Sequence, residues 1–214
     1  EKVEDIDQLY QLGFRHAMLT WNEENKYATG VAGDSNRGLT EEGARLIKRM
    51  EELDMIIDLA HLNEKSFYDV LKITNKNIVY SHGCVKDICN HRRNVTNEQM
   101  LALKSVNGLL GLTLAKNFVS PMEEEKDLEH FLNHLDRAVD IMGVDHVCYG
   151  FDFMDYLSEF PNDNIIDVPD ATKAYRIVEG MRKRGYSEEE IEKICWSNFY
   201  NRYKNKVVLK GEIK

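Results

Sequence analysis

Residues 54–94 decide the fold of this chain, and they read DMIIDLAHLNEKSFYDVLKITNKNIVYSHGCVKDICNHRRN. Two short apolar runs in this stretch, residues 55–60 and 78–81, each end on a histidine, His61 and His82. The runs are rich in Ile and Val and too short for helices, and a segment of helix length separates them. This pattern predicts two parallel strands joined by a crossover helix.

The two histidines occupy equivalent positions at the ends of these strands. In parallel α/β folds the loops at the carboxyl ends of the strands carry the chemistry. His61 and His82 can therefore converge on one metal ion. The alternative is that each imidazole merely ends a strand in a solvent-facing loop, which we favour for a single histidine. Two in equivalent places, followed by Arg92 and Arg93, favour a metal site.

The composition is that of an ordinary globular protein. The chain has 214 residues, 43% hydrophobic and 30% charged, with only three prolines, which predicts one domain with a substantial core. The net charge of −9 argues against a nucleic-acid or anionic-membrane partner. Four cysteines lack the C-x2-C spacing of structural zinc sites. We therefore expect reduced thiols in a cytoplasmic protein.

Strand-like and helix-like segments alternate along the whole chain. Such alternation predicts a parallel sheet with helices outside it, either doubly wound or closed as a barrel. Polar residues at four of five strand ends favour a barrel mouth, although five units are fewer than the eight of a closed barrel. The predicted strands are residues 14–20, 55–60, 77–81, 109–114 and 145–150, and the predicted helices are residues 1–12, 41–53, 64–74, 97–106 and 123–142, with a further helix from Ser187.

Five stretches of the chain resemble a known family. They are GFRHAMLTWN, GLTEEGARLIKRMEELDMIIDLAH, VYSHGCVKDICNHRRNV, GVDHVCYGFDF and GYSEEEIEKICWSNF. In this order and spacing the chain resembles the renal (membrane) dipeptidase family of zinc peptidases, especially its bacterial cytoplasmic members. The resemblance implies a (β/α)8 TIM-type barrel, of which residues 1–214 form the C-terminal portion of a single metallo-dipeptidase domain, about strands four to eight.

The resemblance also implies an activity, which is the hydrolysis of dipeptides by a metal-bound hydroxide at a binuclear zinc site. It implies that His61 and His82 bind zinc and that Arg93 holds the substrate carboxylate. It further implies that Asp152, beside the metals, handles protons on the attacking water or the leaving amine. Paired zinc ions lower the pKa of a shared water and polarise the scissile carbonyl, so these roles are chemically consistent.

The sequence departs from the family pattern in two places. The family's opening H-x-D motif and its bridging glutamate would lie before Glu1, so we expect an N-terminally incomplete chain that holds one zinc ion or none. The missing strands would expose the sheet edges at residues 14–20 and 145–150, and a second chain, as in a homo-oligomer, is one way to cover them. Trp21 stands where the animal enzymes carry a substrate-contacting histidine, so their substrate preference does not transfer.

Two other functions stay open at this point. One is a non-catalytic remnant of the barrel that folds without a working centre. The other is a related metal-dependent amidohydrolase that acts on a non-peptide amide or ester, because the substrate class rests on the resemblance alone.

Some polar residues outside this set have a structural interpretation. His130 and His134 have the spacing of a zinc-binding helix pair but lack the glutamate of H-E-x-x-H, so we interpret them as paired on a helix surface. Asp58 either orients an imidazole or ends a strand, with equal weight. Asn22 lies in a strand-end loop where a solvated side chain is the more common outcome.

Overall fold

The five strands of this computed structural model, which describes residues 2–157 and 163–207, form one parallel sheet. Their order in the sheet follows the chain, and β1 with β2, β2 with β3 and β4 with β5 all pair in parallel. The predicted α/β fold with a parallel sheet is thereby confirmed. The strands are β1 (His16–Met18), β2 (Ile56–Asp58), β3 (Ile78–Gly83), β4 (Leu109–Leu112) and β5 (Val147–Tyr149).

One helix precedes the first strand, and the others connect the strands or follow the last of them. They are α1 (Asp5–Gln11), α2 (Glu41–Glu52), α3 (Glu64–Leu71), α4 (Asn97–Ser105), α5 (Lys116–Val119), α6 (Leu128–Met142), α7 (Tyr175–Lys183), α8 (Glu188–Glu192) and α9 (Asn198–Val207). None of the helices in the described part of the chain is long and apolar enough to cross a membrane.

The chain divides into two compact units, and the prediction of a single domain stays a prediction. The first unit comprises Glu1–Tyr80, Val106–Gly108 and Phe199–Lys214, and the second comprises Ser81–Ser105 and Leu109–Asn198. The boundary falls within β3, so residues 78–80 of that strand belong to the first unit and residues 81–83 to the second.

Side chains cap the starts of several helices, whereas the helix predicted from residue 123 begins as α6 at Leu128. Thr40, Asn63 and Thr96 accept hydrogen bonds from the backbone three residues on, at Gly43, Ser66 and Gln99 respectively. Such bonds satisfy N–H groups that a helix start otherwise leaves without an intrahelical partner. Ser187 forms a reciprocal capping box with Glu190 at the start of α8.

All five strands differ from the predicted bounds, and β1, β2, β4 and β5 are all shorter than predicted. β1 contains three residues where we expected seven. β3 is longer than predicted and includes His82, which the sequence pattern places after the strand. Pairing continues because the Gly83 carbonyl accepts the Thr113 N–H at 3.2 Å.

Every helix-to-strand connection contains a residue at positive φ. Gly13 and Gly143 occupy this conformation, at φ of 102° and 82°. The other three are Asp54, Asn77 and Asn107, with φ between 55° and 56°. Asn and Asp tolerate the left-handed region better than most residues, so these connections turn tightly from helix to strand.

The last helix, α9, contacts the turns that precede three strands. The buried hydroxyl of Tyr203 donates to the Ile78 carbonyl at 3.0 Å, at the start of β3. Lys206 Nζ lies 2.5 Å from Asp54 Oδ2. Arg202 Nη2 donates to Asn107 Oδ1 at 3.1 Å. These contacts couple α9 to the loops that enter β2, β3 and β4.

Backbones approach closely in the second unit. A Cβ on Gly111 of β4 or on Gly150 after β5 would overlap the Ser81 carbonyl oxygen of β3. Only glycine permits such an approach. His134 of α6 is fully buried in the same unit, accepting the Val85 N–H at Nδ1 (3.0 Å) and donating from Nε2 to the Val119 carbonyl (2.9 Å). The predicted surface position of His134 is therefore wrong.

Candidate functional site

His61 follows β2 in a strained backbone conformation. Its φ is 70°, which is unusual outside glycine and costs about 1–2 kcal/mol for most L-residues. Two contacts hold the turn. Asp58 Oδ1 accepts the Ala60 N–H at 2.9 Å, and the His61 carbonyl accepts the Val31 N–H at 2.9 Å. Strain of this kind is retained where the surrounding structure fixes it, and it is common at functional sites.

The imidazole of His61 meets Asn22, which follows β1. His61 Nδ1 lies 3.0 Å from Asn22 Oδ1. An amide oxygen can only accept, so Nδ1 carries the proton, which is the tautomer whose Nε2 is the metal-binding nitrogen. The Trp21 ring lies 6.2 Å from the His61 ring, centroid to centroid, and is 64% exposed. Sequence reasoning had assigned the Asn22 loop to solvent.

Asp58 of β2 is fully buried and contacts a histidine. Its Oδ2 lies 3.0 Å from Nε2 of His16, at the start of β1. Of the two roles left open for this carboxylate, the contact favours the orientation of an imidazole, and the imidazole is that of His16. Asp58 also shapes the turn to His61 through its bond to the Ala60 N–H.

In the second unit the structure brings His82 and Asp152 together. Nε2 of His82 lies 3.9 Å from Asp152 Oδ2, and Nδ1 lies 2.7 Å from Ser81 Oγ. The longer distance exceeds a hydrogen bond, but a small cation could contact both atoms because zinc binds nitrogen and oxygen at about 2 Å. Asp152 is at positive φ, 57°, and its side chain is 47% exposed. His82 is largely buried, so this carboxylate is the water-facing member of the pair.

Arg93 lies in the same unit, next to the His82 backbone. Its guanidinium donates from Nη2 to the His82 carbonyl at 3.4 Å, and its Cζ lies 5.5 Å from the centre of the Phe118 ring. The side chain is 5% exposed. A guanidinium over an aromatic face gains cation–π attraction, and these contacts fix its direction.

Asn94 organises the loop that carries Arg93. Its Oδ1 accepts the Cys84 N–H at 3.0 Å, and its Nδ2 donates to the carbonyls of Cys89 (2.9 Å) and Phe118 (2.8 Å). Three bonds from one buried amide tie both ends of the loop to the start of the segment after β4. Sequence reasoning gave Asn94 no role of its own.

His91 packs beside Arg93 rather than facing a metal ligand. Its ring stacks on Phe118 with centroids 4.3 Å apart, and its Nδ1 accepts the Arg93 N–H at 3.3 Å. Burial, reinforced by the charges of Arg92 and Arg93, lowers the pKa of His91. Its imidazole is therefore neutral near pH 7, and it supports the arginine loop.

The donor atoms are chemically suited to zinc, but the described residues do not complete a site. Imidazole nitrogen and carboxylate oxygen are ordinary zinc ligands, and the Nδ1 atoms of His61 and His82 have polar partners, as metal-binding histidines do. The described residues contain no group of three or more His, Cys, Asp or Glu side chains placed to hold a metal ion. A catalytic zinc ion usually has three protein ligands, so further donors are needed.

The family model of membrane dipeptidases, peptidase family M19, matches residues 1–207. The chain belongs to the membrane dipeptidase family. This match confirms the resemblance drawn from the five sequence stretches.

Two relatives are similar over most of this chain. An uncharacterised protein of Klebsiella pneumoniae, from the pqqA 5′ region, is 29% identical over 94% of this chain and 75% of its own length. The dipeptidase tcpJ of Claviceps purpurea is 26% identical over 88% of this chain and 44% of its own length. The chain thus spans less than half of that dipeptidase.

Solved structures show the same architecture. A metallopeptidase of Rhodobacter sphaeroides, bound to a phosphinate mimic of L-Ala-D-Ala, superposes with a TM-score of 0.84 at 28% identity. The alignment covers 95% of this chain and 59% of that structure. The probable dipeptidase PvdM of Pseudomonas aeruginosa has a TM-score of 0.85 at 17% identity, over 96% and 66% of the two chains, and it supports the fold alone.

Proposed function

We propose that the protein is a zinc-dependent dipeptidase with a binuclear site, and that its five β/α units correspond to units four to eight of a single (β/α)8 barrel domain. The observation that carries the proposal is the cluster of His82, Asp152 and Arg93 in a chain of the membrane dipeptidase family. The dipeptide mimic bound by the Rhodobacter relative supports a short peptide as substrate.

Arg93 is proposed to bind the C-terminal carboxylate of the dipeptide. A guanidinium forms two parallel hydrogen bonds with a carboxylate, which a lysine ammonium does not. The Phe118 ring and the His82 carbonyl already orient this side chain. Little conformational freedom is then lost on binding. A site that requires a free carboxylate selects short peptides over the interior of proteins.

Asp152 is proposed to move the proton. Its exposed carboxylate, beside His82, can accept a proton from the attacking water and return it to the leaving amine. The strained backbone at Asp152 sets the direction of the carboxylate. His61 and His82 are proposed as zinc ligands through Nε2. When bound, zinc lowers the pKa of water and polarises the scissile carbonyl.

Two features support the finer parts of the proposal. β1 and β5 are the outer strands of the five, and Phe14 and Met18 at β1 are exposed, as expected of strands that pair further in a closed barrel or in a homo-oligomer. The four cysteines are free thiols, in keeping with a cytoplasmic protein.

The test is zinc content and hydrolysis, measured on the natural polypeptide that carries this chain. We expect zinc-dependent hydrolysis of L-Ala-D-Ala and little hydrolysis of its C-terminal amide. Arg93→Lys should raise KM at least about tenfold while changing kcat less, because the bidentate clamp is lost. Asp152→Asn should lower kcat about 10²–10⁴-fold.

Different results would exclude the dipeptidase function. Equal activity on the amide, or on N-acylated substrates, would favour an amidohydrolase of another substrate class. A protein without bound zinc and without hydrolysis would favour the non-catalytic barrel.

A further inference from the structure

We infer that Asn22 is a positioning residue that sets the tautomer of His61, so that Nε2 is the nitrogen that would bind metal. The inference rests on the proposed function for its purpose but not for its geometry. The contact that carries it joins Asn22 Oδ1 and His61 Nδ1 at 3.0 Å, within the first unit. Because the amide oxygen is an acceptor, this contact requires the Nδ1–H tautomer.

A segment of three residues, Gly30 to Ala32 (the strap), fixes the backbones of Asn22 and His61. The Val31 N–H donates to the His61 carbonyl at 2.9 Å, and the Ala32 N–H donates to the Asn22 carbonyl at 2.7 Å. Adjacent residues of one segment thus hold the backbones of Asn22 and His61. The backbone positions of both residues are therefore fixed, so the contact between their side chains does not depend on a loose surface loop.

Glycine at position 30 permits this arrangement. A Cβ at Gly30 would overlap the carbonyl oxygens of Trp21 and Asn22. The Gly30 N–H donates to the Glu23 carbonyl at 3.1 Å, so the strap and the Asn22 loop lie against each other. The close approach keeps Asn22 at the distance that its bond to His61 needs.

The His61 imidazole has little freedom to rotate toward a different hydrogen-bond partner. His61 is 5% exposed, its backbone is fixed at φ 70°, and the Trp21 ring lies beside it. For a metal-binding histidine, the group that accepts the second N–H fixes the ring orientation and raises the basicity of the metal-binding nitrogen. The structure places Asn22 in that role, whereas most such partners are carboxylates or backbone carbonyls.

The decisive measurement is the ¹⁵N spectrum of His61 in this chain without added metal. We expect the Nδ1–H tautomer in the wild type. Asn22→Leu, of similar size but without an acceptor, should lose the preference for Nδ1–H, and Asn22→Ala should do the same if the leucine variant does not fold. Asn22→Asp keeps an acceptor at the same place and should restore the preference.

A matched control is Asn25→Ala, in the same loop. Asn25 binds the backbone of Leu19, Tyr27 and Ala28, so its loss perturbs the loop without removing the acceptor at His61 Nδ1. The His61 tautomer should stay unchanged in this variant. An Nε2–H tautomer in the wild type, or an unchanged spectrum in Asn22→Leu and Asn22→Ala, would overturn the inference.

Zinc binding provides an independent readout. Titration of the natural polypeptide with Zn²⁺ should show a 10–100-fold loss of affinity in Asn22→Leu and a much smaller change in Asn22→Asp. An unchanged affinity in Asn22→Leu contradicts the positioning role. Absence of zinc binding in the wild type contradicts the proposed function instead, and the tautomer measurement then decides the role of Asn22 by itself.

Discussion

The loops that enter the strands and the loops that leave them use the same strained backbone in opposite ways. Asp54, Asn77 and Asn107 enter strands at positive φ, and the side chains of all three make hydrogen bonds that belong to the fold. His61 and Asp152 leave strands at similar φ values, but they carry an imidazole and a carboxylate suited to metal and proton chemistry. The difference teaches that positive φ by itself marks a tight turn, and that the side chain and its partners decide whether the turn serves stability or function.

The largest expected effect contrasts two glycines at the ends of β5. Gly150 follows the strand and has no room for a Cβ, whereas Gly143 precedes it at φ 82° with open space around it. Gly150→Ala should cost about 3 kcal/mol or more through overlap with the Ser81 carbonyl. Gly143→Ala should cost less, about 1–3 kcal/mol, because φ 82° with ψ 154° is a backbone conformation that essentially only glycine adopts. Urea unfolding of both variants measures the contrast, and equal losses would contradict it.

The second prediction is a difference in acid sensitivity. Burial lowers the pKa of His134 to about 4, with the charge of His130 contributing, although its bond to the Val119 carbonyl opposes the shift. As the pH falls below about 6.5, His134 binds a proton in the unfolded chain, but in the folded protein it stays neutral until about pH 4. The free energy of unfolding should therefore fall by about 3 kcal/mol across this window.

The loop that enters β2 through Asp54 should lose its contribution to the free energy of unfolding only at lower pH. Burial raises the pKa of Asp54, but its bonds to Lys206 and Asn77 outweigh that effect and lower it below its ordinary value. Its stabilising contribution is present above the unfolded pKa and is lost only as the pH falls through the folded pKa. The free energy of unfolding should be measured from pH 7 to 3. Its fall between about pH 6.5 and 4 should be smaller in His134→Gln and unchanged in Asp54→Asn. A pH profile unchanged by His134→Gln would refute the assignment.

The third prediction removes a bond at an entering loop. Tyr203→Phe deletes the hydroxyl that donates to the Ile78 carbonyl and leaves that buried acceptor with one bond fewer. We expect a loss of about 1 kcal/mol in the free energy of unfolding. Zinc affinity should stay the same, because this contact stabilises the fold and not the site. A large loss of zinc affinity would break the division between the two classes of loop.

The smallest effect on stability comes from glycine at the strained position Asn107. Asn107→Gly relieves the left-handed backbone, but it adds backbone entropy to the unfolded state and loses the contact to Arg202. The free energy of unfolding should change by less than about 0.5 kcal/mol, with zinc affinity intact. His61→Gly relieves similar strain, but it deletes a buried imidazole and its bond to Asn22, so it should destabilise the protein more than Asn107→Gly does and also remove the proposed zinc ligand. Parallel unfolding and zinc titrations compare the two variants.

Much of the architecture follows from local chemistry. Three kinds of feature act within a few residues of their own position. They are the β-branched runs before His61 and His82, the capping residues Thr40, Asn63 and Ser187, and the turn glycines Gly13 and Gly143. Their consequences can therefore be predicted from neighbouring letters. The exact strand lengths could not, because β3 continues through His82 only where Thr113 supplies a partner.

The sequence by itself determined the parallel α/β fold, the family, and the residues proposed for zinc, substrate and proton transfer. Only the tertiary structure decided which side chains accompany them. Asn22 reaches His61 from 39 positions away, and Phe118 meets Arg93 across another loop. His134 is buried instead of exposed because Val85 and Val119 supply its two hydrogen bonds. Contacts between distant segments depend on how the chain packs, and no local pattern of residue types records that packing.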